Sequence, residues 1–433
     1  MVESKKKKLE FYGVPWYIAI FSCGVIILSM FFGALGTDMP SVLALMLALG
    51  IPLNEIGKRI PIWNTYIGGG LLLAFFGASI IGTYQLIPEE YITAIDGFTG
   101  SVNFLTLFIV VLLAGSIMSL ERTILFKSFM GYFPAILGGL VLAIAFGIIG
   151  GMVFGISPSE ITTNYVLPVL GGGNAGGAIP LSEIYSEVTG EPSEIYYGFA
   201  IIILTVANII AIVFAALLNR LGELIPSWTG DGTTLMRKSS EEKIKVEDYT
   251  PNLKDVAAGF LVALSCYVVG LFFSNFLLPT VFGFPIHQLA YMVIFVIILQ
   301  AFDVIPLNVR MGAKRLQSFF SKHLTILIMI GVGVELDLFE LFAAITVPNI
   351  VIAMLVVLGA TIGAGFVGYL VGFYPIDTAI TAGLCMANRG GSGDIATLGA
   401  ANRMELMAYA QLSTRLGGAL ILIIASILFS ILL

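Results

Sequence analysis

Residues 385–394 read Cys-Met-Ala-Asn-Arg-Gly-Gly-Ser-Gly-Asp, and they decide how the rest of the chain is interpreted. They place Arg389 and Asp394 among apolar segments, and Arg415 lies in the next apolar segment. A charged side chain at the centre of a bilayer costs roughly 2.5–3.5 kcal/mol, so it normally faces a cavity, a partner or a cargo. The glycines that follow Arg389 also interrupt a regular helix, and irregular backbone at membrane depth survives only where it is buried in protein or lines water. The charges and the break coincide, which predicts a binding site.

The composition indicates the class of protein. The chain has 433 residues, of which 58% are hydrophobic and 11% are charged, whereas a soluble domain carries about 25% charged residues. Several apolar runs exceed the roughly 20 residues that are needed to cross a bilayer. The sequence therefore predicts an all-α polytopic membrane protein surrounded by the lipid bilayer, and no nucleic acid is expected as a partner.

Eleven apolar segments are predicted to be transmembrane helices. Their bounds lie near residues 14–33, 38–53, 64–86, 102–119, 130–156, 196–218, 255–278, 285–307, 323–343, 347–373 and 407–433. Two glycine-rich segments, 164–187 and 376–402, are too broken and too polar for ordinary spans. We interpret both as re-entrant hairpins, which enter the membrane and leave it on the same side.

The distribution of charge predicts the orientation. With the N-terminus in the cytoplasm, all but two of the 21 Lys and Arg residues fall in cytoplasmic segments, including Arg310 and Arg403. The other two are Arg389 and Arg415, and the external loops carry acids such as Glu89 without any base. Because Lys and Arg in short loops stay on the cytoplasmic side, we expect a multi-pass protein with a cytoplasmic N-terminus and an external C-terminus.

The order of the segments contains a repeat. Residues 38–218 hold four spans, the hairpin 164–187 and one more span, and residues 255–433 hold the same series around the hairpin 376–402. Each repeat crosses the membrane an odd number of times, so the two are inverted and the first hairpin enters from outside while the second enters from inside. Inverted repeats with broken segments at matching positions are typical of secondary transporters, which bind substrate and coupling ion near the midplane.

The parts outside the repeats have simpler interpretations. Residues 1–37 are predicted to form a cytoplasmic N-terminus and an extra first span, and residues 219–254 a solvated cytoplasmic linker. Thr205 and Asn208 lie within the span 196–218. We interpret them as contacts between helices, since polar side chains in membrane helices often bond across to a neighbour.

The two hairpins supply the groups that an anion needs. A half-helix that begins after a break points free N–H groups and its positive dipole end at the gap. Arg389 and Arg415 add planar, forked donors that match carboxylates, so the pattern favours a small anion with more than one carboxylate. In an alternative interpretation Asp394 neutralises one arginine, which leaves one for the cargo. The oxygen-bearing side chains near the second break, which suit sodium, are Asn388, Ser392, Asp394 and Thr414.

These motifs resemble those of a known family. The paired glycine-rich hairpins, the run Asn388-Arg-Gly-Gly-Ser-Gly-Asp394 and the ending Arg415-Leu-Gly-Gly are similar to those of the 2-hydroxycarboxylate transporters. This family contains sodium–citrate and sodium–malate symporters of the bacterial inner membrane, and the resemblance covers essentially the whole chain. It implies a homodimer in which each protomer carries substrate by an elevator-like movement of a hairpin-bearing domain against a dimerisation domain.

The resemblance also implies the site residues. The substrate ligands that it implies are Asn174, Ala175, Arg389, Gly391, Ser392 and Arg415. The sodium ligands that it implies are backbone carbonyls just before each break, at Val169, Gly171, Met386 and Asn388, with Cys385, Asp394 and Thr414 as further candidates. The family usually has glycine where this chain has Ala175, and the extra methyl group narrows the backbone approach to the cargo.

The sequence as a whole predicts a sodium-coupled symporter of a 2-hydroxy di- or tricarboxylate, citrate ahead of malate, with no cofactor besides the coupling sodium ions. Proton-coupled symport and exchange of one hydroxycarboxylate for another stay open as alternatives. An anion channel is a further alternative, although a channel would favour rings of like charge along a continuous pore. An enzyme is not expected, because no serine–histidine or metal-ligand spacing supplies a nucleophile or an acid–base pair.

Overall fold

The computed structural model describes residues 10–61, 69–100, 102–119, 132–230, 232, 235–237, 249–281, 284–285, 287–335, 338–343, 345–390 and 392–433. Within these ranges the regular structure is helical, apart from one isolated bridge and two antiparallel pairs of two-residue strands. The paired strands are Glu10–Phe11 with Val14–Pro15 and Thr280–Val281 with Phe284–Pro285. The predicted all-α class is therefore confirmed.

The main helices are numbered in chain order. The first eight are α1 Trp16–Phe31, α2 Met39–Arg59, α3 Gly69–Thr83, α4 Glu89–Thr99, α5 Phe104–Met118, α6 Phe133–Val153, α7 Ile179–Thr189 and α8 Ser193–Leu224. The others are α9 Leu253–Phe272, α10 Gln288–Ala301, α11 Leu307–Phe319, α12 Thr325–Glu335, α13 Leu338–Ala343, α14 Val347–Leu370, α15 Ser392–Ala400, α16 Met407–Leu412 and α17 Gly418–Leu432. Shorter helical turns precede α7 and α15 and belong to the functional site.

Eight helical stretches are long and apolar enough to cross a membrane among the residues that the structure describes. They are Met39–Arg59, Glu89–Met118, Phe133–Val153, Ser193–Leu224, Leu253–Leu277, Leu307–Val334, Val347–Leu370 and Tyr409–Leu432. Three shorter apolar helices coincide with the remaining predicted spans, and they are Trp16–Phe31, Gly69–Thr83 and Gln288–Ala301. The chain is thus a polytopic membrane protein, while the count of eleven crossings stays a prediction.

Two segments that lie between predicted spans are helices. α4 carries Glu89 in its first turn but buries Tyr91 and Ile95. α11 carries Arg310, which is only 5% exposed and donates from Nε to the carbonyl oxygen of Met118 at 3.2 Å. Neither segment was predicted as a helix, because the charged face of an amphipathic helix lowers the mean hydropathy of the whole segment.

The linker 219–254 is packed against the protein in part of its described length. Leu235 is fully buried, and its carbonyl oxygen accepts a hydrogen bond from the backbone N–H of Tyr374 at 2.8 Å. The N–H of Arg237 in turn donates to the carbonyl oxygen of Gly372 at 3.0 Å. The expectation of a solvated linker was wrong for Leu235, and the turn after α14 supplies the backbone partners of this stretch.

The chain divides into two compact units. The first comprises Met1–Leu105 with Ser321–Phe342, and the second comprises Thr106–Phe320 with Ala343–Leu433. In the first unit α3 packs against α2 and α12. The second unit holds both glycine-rich segments together with the last span, so the candidate site lies within this unit. The inverted repeat, with its bounds at 38–218 and 255–433, stays a prediction.

The second unit contains a close crossing of α6 and α14. A Cβ atom at Gly363 would overlap the carbonyl oxygen of Gly138, so the two helices approach backbone to backbone at this point. Membrane helices lack a hydrophobic driving force for association, and small residues compensate by allowing extensive van der Waals contact. The crossing therefore depends on the absence of a side chain at Gly363.

Replacing Gly363 with valine is expected to lower the thermal stability of the protein, because overpacking a tight contact costs roughly 1–3 kcal/mol. Thermal unfolding in detergent, followed by size-exclusion chromatography, measures the midpoint temperature. Gly24 in α1 is the matched control, since a Cβ atom there meets no atom within 4 Å. Equal midpoints for Gly363→Val and Gly24→Val would contradict the close crossing.

Candidate functional site

The first broken segment joins two helical arms through a run of three glycines. Its entry arm consists of the turns Pro158–Glu160, Ile161–Val166 and Leu167–Leu170, and its exit arm consists of the π-helical turn Asn174–Ala178 and α7. Between the arms, Gly172 and Gly173 have φ angles of +83° and +100°. These angles lie in the left-handed region that favours glycine, so the helix breaks where the sequence predicted.

The second broken segment has the same plan. Its entry arm consists of Pro375–Thr378 and the π-helical turn Ala379–Leu384, and its exit arm is α15. Gly390 between the arms has a φ angle of +69°. The break again falls on the predicted glycines. That each broken segment enters and leaves the membrane on one side stays a prediction.

The two breaks touch through their backbones. The N–H of Asn174 donates to the carbonyl oxygen of Arg389 at 3.4 Å. A Cβ atom on Gly173 would overlap that same carbonyl group, and one on Gly172 would overlap the carbonyl oxygen of Thr414. Side chains are therefore excluded at both glycines, and the two breaks meet the turn Ser413–Gly417 of the last span in one place. We call this place the junction.

The two predicted arginines at the junction differ in their surroundings. The Nε atom of Arg389 is buried and has no hydrogen-bond partner among the residues that the structure describes, and such a donor is costly to leave unpaired. Arg415 donates from Nη1 to Oγ of Ser119 at 2.8 Å. The charge of Asp394 also attracts Arg415, so the interpretation in which Asp394 neutralises one arginine stays open.

A buried polar cluster lies behind the second break. Asp394, which is 1% exposed, accepts hydrogen bonds from Asn388 Nδ2 at 3.1 Å and from Thr414 Oγ1 at 3.5 Å. Asn388 Nδ2 also donates to Thr397 Oγ1 at 3.3 Å, and Asn388 Oδ1 accepts from the N–H of Gly390 at 2.6 Å. The cluster concentrates carboxylate, amide and hydroxyl oxygens in a dry environment. Such oxygens are the ligands that hard cations prefer.

The carbonyls predicted to bind sodium lie where the entry arms end. Val169 and Gly171 are buried at the end of the first entry arm, and Met386 and Asn388 are buried after the second. Cys385 is fully buried beside them. Because the last carbonyls of a helix lack partners within that helix, these positions can offer oxygen atoms to a cation.

Two predicted substrate ligands are described only in part, and a third is not described. Gly391 lies outside the described residues, and the structure describes the backbones of Ala175 and Ser392 without their side chains. Ala175 lies in the turn Asn174–Ala178, and Ser392 begins α15, so both stand at the start of an exit arm. The first N–H groups of a helix have no internal acceptor. The effect of alanine at the usual glycine position stays a prediction.

Three side chains at the junction were missed by the sequence analysis. Tyr197 donates from its hydroxyl group to Asn174 Oδ1 at 2.8 Å, and Asn208 Oδ1 accepts from the N–H of Arg389 at 3.3 Å. Asn208 therefore bonds across to a neighbouring segment as interpreted, although its partner is the backbone of the second break. Thr205 instead donates to the carbonyl oxygen of Ile201 within its own helix. The third missed side chain is Ser119, which accepts a hydrogen bond from Arg415.

The signal for two of these residues was present in the sequence. Tyr197 and Asn208 are buried polar residues eleven positions apart in α8, which is close to three full helical turns. They therefore lie on one face of the helix. Ser119 gives no comparable signal, because it follows directly after α5 and its partner is far away in the sequence.

Comparison with known proteins gives matches along almost the whole chain. The profile of the 2-hydroxycarboxylate transporter family matches residues 11–427. The citrate/sodium symporter of Salmonella typhimurium is 45% identical over 427 residues, which cover 98% of this chain and 95% of that protein. The citrate/malate-proton symporter of Bacillus subtilis is 35% identical over 89% of this chain and 84% of its own length. The Na(+)-malate symporter of the same organism is 32% identical over 93% of this chain and 89% of its own length.

Replacing Tyr197 with phenylalanine is expected to raise several-fold the half-saturation concentration for citrate, the substrate named for the relative that is 45% identical. The hydroxyl group holds the Asn174 amide in one orientation, and a hydrogen bond contributes roughly 0.5–1.5 kcal/mol. Uptake of labelled citrate into proteoliposomes measures this constant. Tyr91→Phe is the matched control, because Tyr91 is equally buried and donates to the carbonyl oxygen of Leu35 in the first unit. A similar change in both variants would show that the Tyr197 hydroxyl group has no specific role at the junction.

Proposed function

Because the chain belongs to the 2-hydroxycarboxylate transporter family, we propose that it is a secondary transporter that carries a 2-hydroxy di- or tricarboxylate together with sodium ions. The family consists of transporters, so the chain is a membrane transport protein and not an enzyme. Citrate is the favoured substrate, ahead of malate. The relative that is 45% identical is a citrate/sodium symporter, while the malate symporter is 32% identical.

The observation that carries the proposal is the unpaired Nε of Arg389 at the point where two helix breaks meet. Its buried Nε needs an acceptor that the described residues do not supply. The exit arms that carry Asn174 and Ser392 begin at the same place, and their positive dipole ends favour an anion. A carboxylate of the substrate is an acceptor of the required charge, and its planar shape matches a guanidinium.

A second carboxylate of the substrate is proposed to bind Arg415. One of its nitrogen atoms donates to Ser119, and a guanidinium has five N–H donors, so donors are left for a carboxylate. The full proposed set of substrate ligands follows the family resemblance and comprises Asn174, Ala175, Arg389, Gly391, Ser392 and Arg415. Two arginines and two helix N-termini would balance a di- or trianion better than a monocarboxylate.

Sodium is proposed to bind beside the substrate, between the ends of the entry arms and the polar cluster. The proposed ligands are the carbonyl oxygens of Val169, Gly171, Met386 and Asn388, with Asp394, Thr414 and Cys385 as additional candidates. The buried carboxylate of Asp394 supports this assignment, since a cation would offset its charge in a region of low dielectric. No other cofactor is proposed.

Proton coupling is the second candidate, because one relative that is 35% identical is a citrate/malate-proton symporter. The same junction could bind the hydroxy acid in either mechanism, so the coupling ion has to be decided by the cation requirement of uptake. Exchange of one hydroxycarboxylate for another is a variant of both mechanisms.

The transport cycle is proposed to follow the family resemblance. Each protomer of a homodimer would move its substrate by an elevator-like displacement of the domain that bears the two broken segments. The segments would enter as re-entrant hairpins from opposite sides of the inner membrane, with a cytoplasmic N-terminus and an external C-terminus. Alternating access around a fixed midplane site is how inverted-repeat transporters commonly work.

Replacing Arg415 with lysine is expected to raise the half-saturation concentration for citrate about ten-fold or more, since a hydrogen bond to a charged group contributes roughly 1.5–3 kcal/mol and lysine loses the planar fork. The measurement is initial uptake against citrate concentration in proteoliposomes. Arg59→Lys is the control, because Arg59 pairs with Glu55 at 3.4 Å in the first unit. An unchanged constant in Arg415→Lys would remove Arg415 from the ligand set.

Uptake at fixed citrate is expected to rise sigmoidally with sodium concentration, because a polyanion needs more than one cation to neutralise it and both entry arms offer carbonyl groups. Labelled citrate and labelled malate should be compared in sodium and choline buffers at matched pH. Equal uptake in the two buffers would disprove sodium coupling and favour protons. Preference for malate would reverse the assignment of the substrate.

A further inference from the structure

A buried ion pair joins the two ends of the second broken segment. Arg403 Nε lies 2.6 Å from Asp377 Oδ1, and the two side chains are 8% and 0% exposed. Asp377 belongs to the first turn of the entry arm, Pro375–Thr378, and Arg403 follows the end of the exit arm by three residues. The pair therefore closes the segment at its base, far along the chain from the break at Gly390.

Further hydrogen bonds tie this pair to α8 and to the linker. Arg403 donates from Nη1 to Asn219 Oδ1 at 2.7 Å and from Nη2 to Thr229 Oγ1 at 2.7 Å. Asp377 accepts from Thr229 Oγ1 at 2.8 Å and from the N–H of Gly230 at 2.7 Å. Every nitrogen of the guanidinium and both oxygens of the carboxylate are thus used. We call these five residues the clasp.

The sequence analysis gave Arg403 only the role of a cytoplasmic charge, and its burial requires another explanation. A buried ion pair is weak evidence for stability, because desolvation of the two charges offsets their attraction. What such a pair can supply is a defined geometry, since both partners must be fully bonded to be tolerated. The clasp meets that condition, so its expected contribution is to conformation.

The clasp and the junction hold the second broken segment to the same helix. Asn208 of α8 accepts from the N–H of Arg389 at the break, and Asn219 of α8 accepts from Arg403 at the base. The two asparagines are eleven residues apart, which places them on one helix face about 16 Å apart along the axis. The segment is therefore fixed to α8 at its break and at its base.

We propose that Asp377 and Arg403 are positioning residues for transport, which keep Arg389 in place opposite Asn174 by fixing the base of the second broken segment to α8. This inference rests on the proposed function for its effect on substrate affinity. Its mechanical part, that the clasp keeps the segment closed on α8, does not depend on what the protein carries.

The buried thiol of Cys385 provides a readout of the mechanical part. Cys385 lies between the entry arm and the break of the same segment and is fully buried. With Cys23 and Cys266 replaced by alanine it is the single remaining cysteine of the chain. Its rate of reaction with N-ethylmaleimide in the absence of substrate then reports how often the segment opens.

Two variants test the clasp in this background. Asp377→Asn leaves the guanidinium without its counter-charge and is expected to speed the labelling of Cys385 about ten-fold, because unpaired buried charges are strongly destabilising. Asn219→Ala retains the ion pair and removes one neutral acceptor, so it is expected to fold and to speed labelling about three-fold. Glu55→Gln is the control, since it breaks the pair with Lys58 at 3.0 Å in the first unit.

The same variants should raise the half-saturation concentration for citrate by similar factors, while the maximal rate per folded protein changes less. Labelling at the rate of the Glu55→Gln control in a folded Asn219→Ala protein would overturn the clasp. Faster labelling with an unchanged half-saturation concentration would overturn the positioning role. If the parent protein carries no citrate, the proposed function fails, and the labelling rates still decide whether the clasp closes the segment.

Discussion

The whole site depends on a close contact between separate backbone segments of the chain. At Gly172 and Gly173 the first break lies so close to the carbonyl groups of Thr414 and Arg389 that no Cβ atom fits. This approach brings the N-terminal ends of two exit arms to the same small volume. Their dipoles and the guanidinium of Arg389 can then act on one anion, because a region from which water is excluded screens charges poorly.

α8 connects the parts of this arrangement. Its polar residues Tyr197, Asn208 and Asn219 follow one another at intervals of eleven residues and so share a face. In order along the helix they bond to Asn174 of the first break, to the backbone of Arg389 in the second break, and to Arg403 at the base of the second segment. One continuous helix thereby sets the spacing of three separate pieces of the site.

The features that could be predicted from the sequence have local signals. A run of glycines disrupts a helix wherever it lies, and Arg389 in an apolar context needs a partner in any fold. The positions of both breaks and the burial of Asp394 followed from such signals. Most of the long apolar helices were found for the same reason, because hydropathy accumulates within a single segment.

The features that were missed depend on contacts between distant residues or on mixed helix faces. Arg415 bonds to Ser119 across 296 positions of sequence. No sequence pattern near either residue predicts this contact. In the sequence, Arg403 resembles any basic residue of a cytoplasmic loop. Its role becomes visible only in the structure, where Asp377 and Asn219 lie beside it. α4 and α11 were not predicted as helices because their charged residues outweighed their buried ones in an average over the segment.

The shared polar face of α8 also determines which amino-acid substitutions the helix can tolerate. The outward side of the same helix carries Val213 and Leu217, which are 52% and 58% exposed and meet hydrocarbon if the helix spans the bilayer. Lipid chains accept any aliphatic shape, so those positions can exchange freely among valine, leucine and isoleucine. On the polar face, each of the three positions at intervals of eleven residues instead needs a side chain with a hydrogen-bond acceptor or donor at a fixed place along the helix axis. Amino-acid substitutions should therefore accumulate quickly on the lipid-facing side of α8 and very slowly on its polar side.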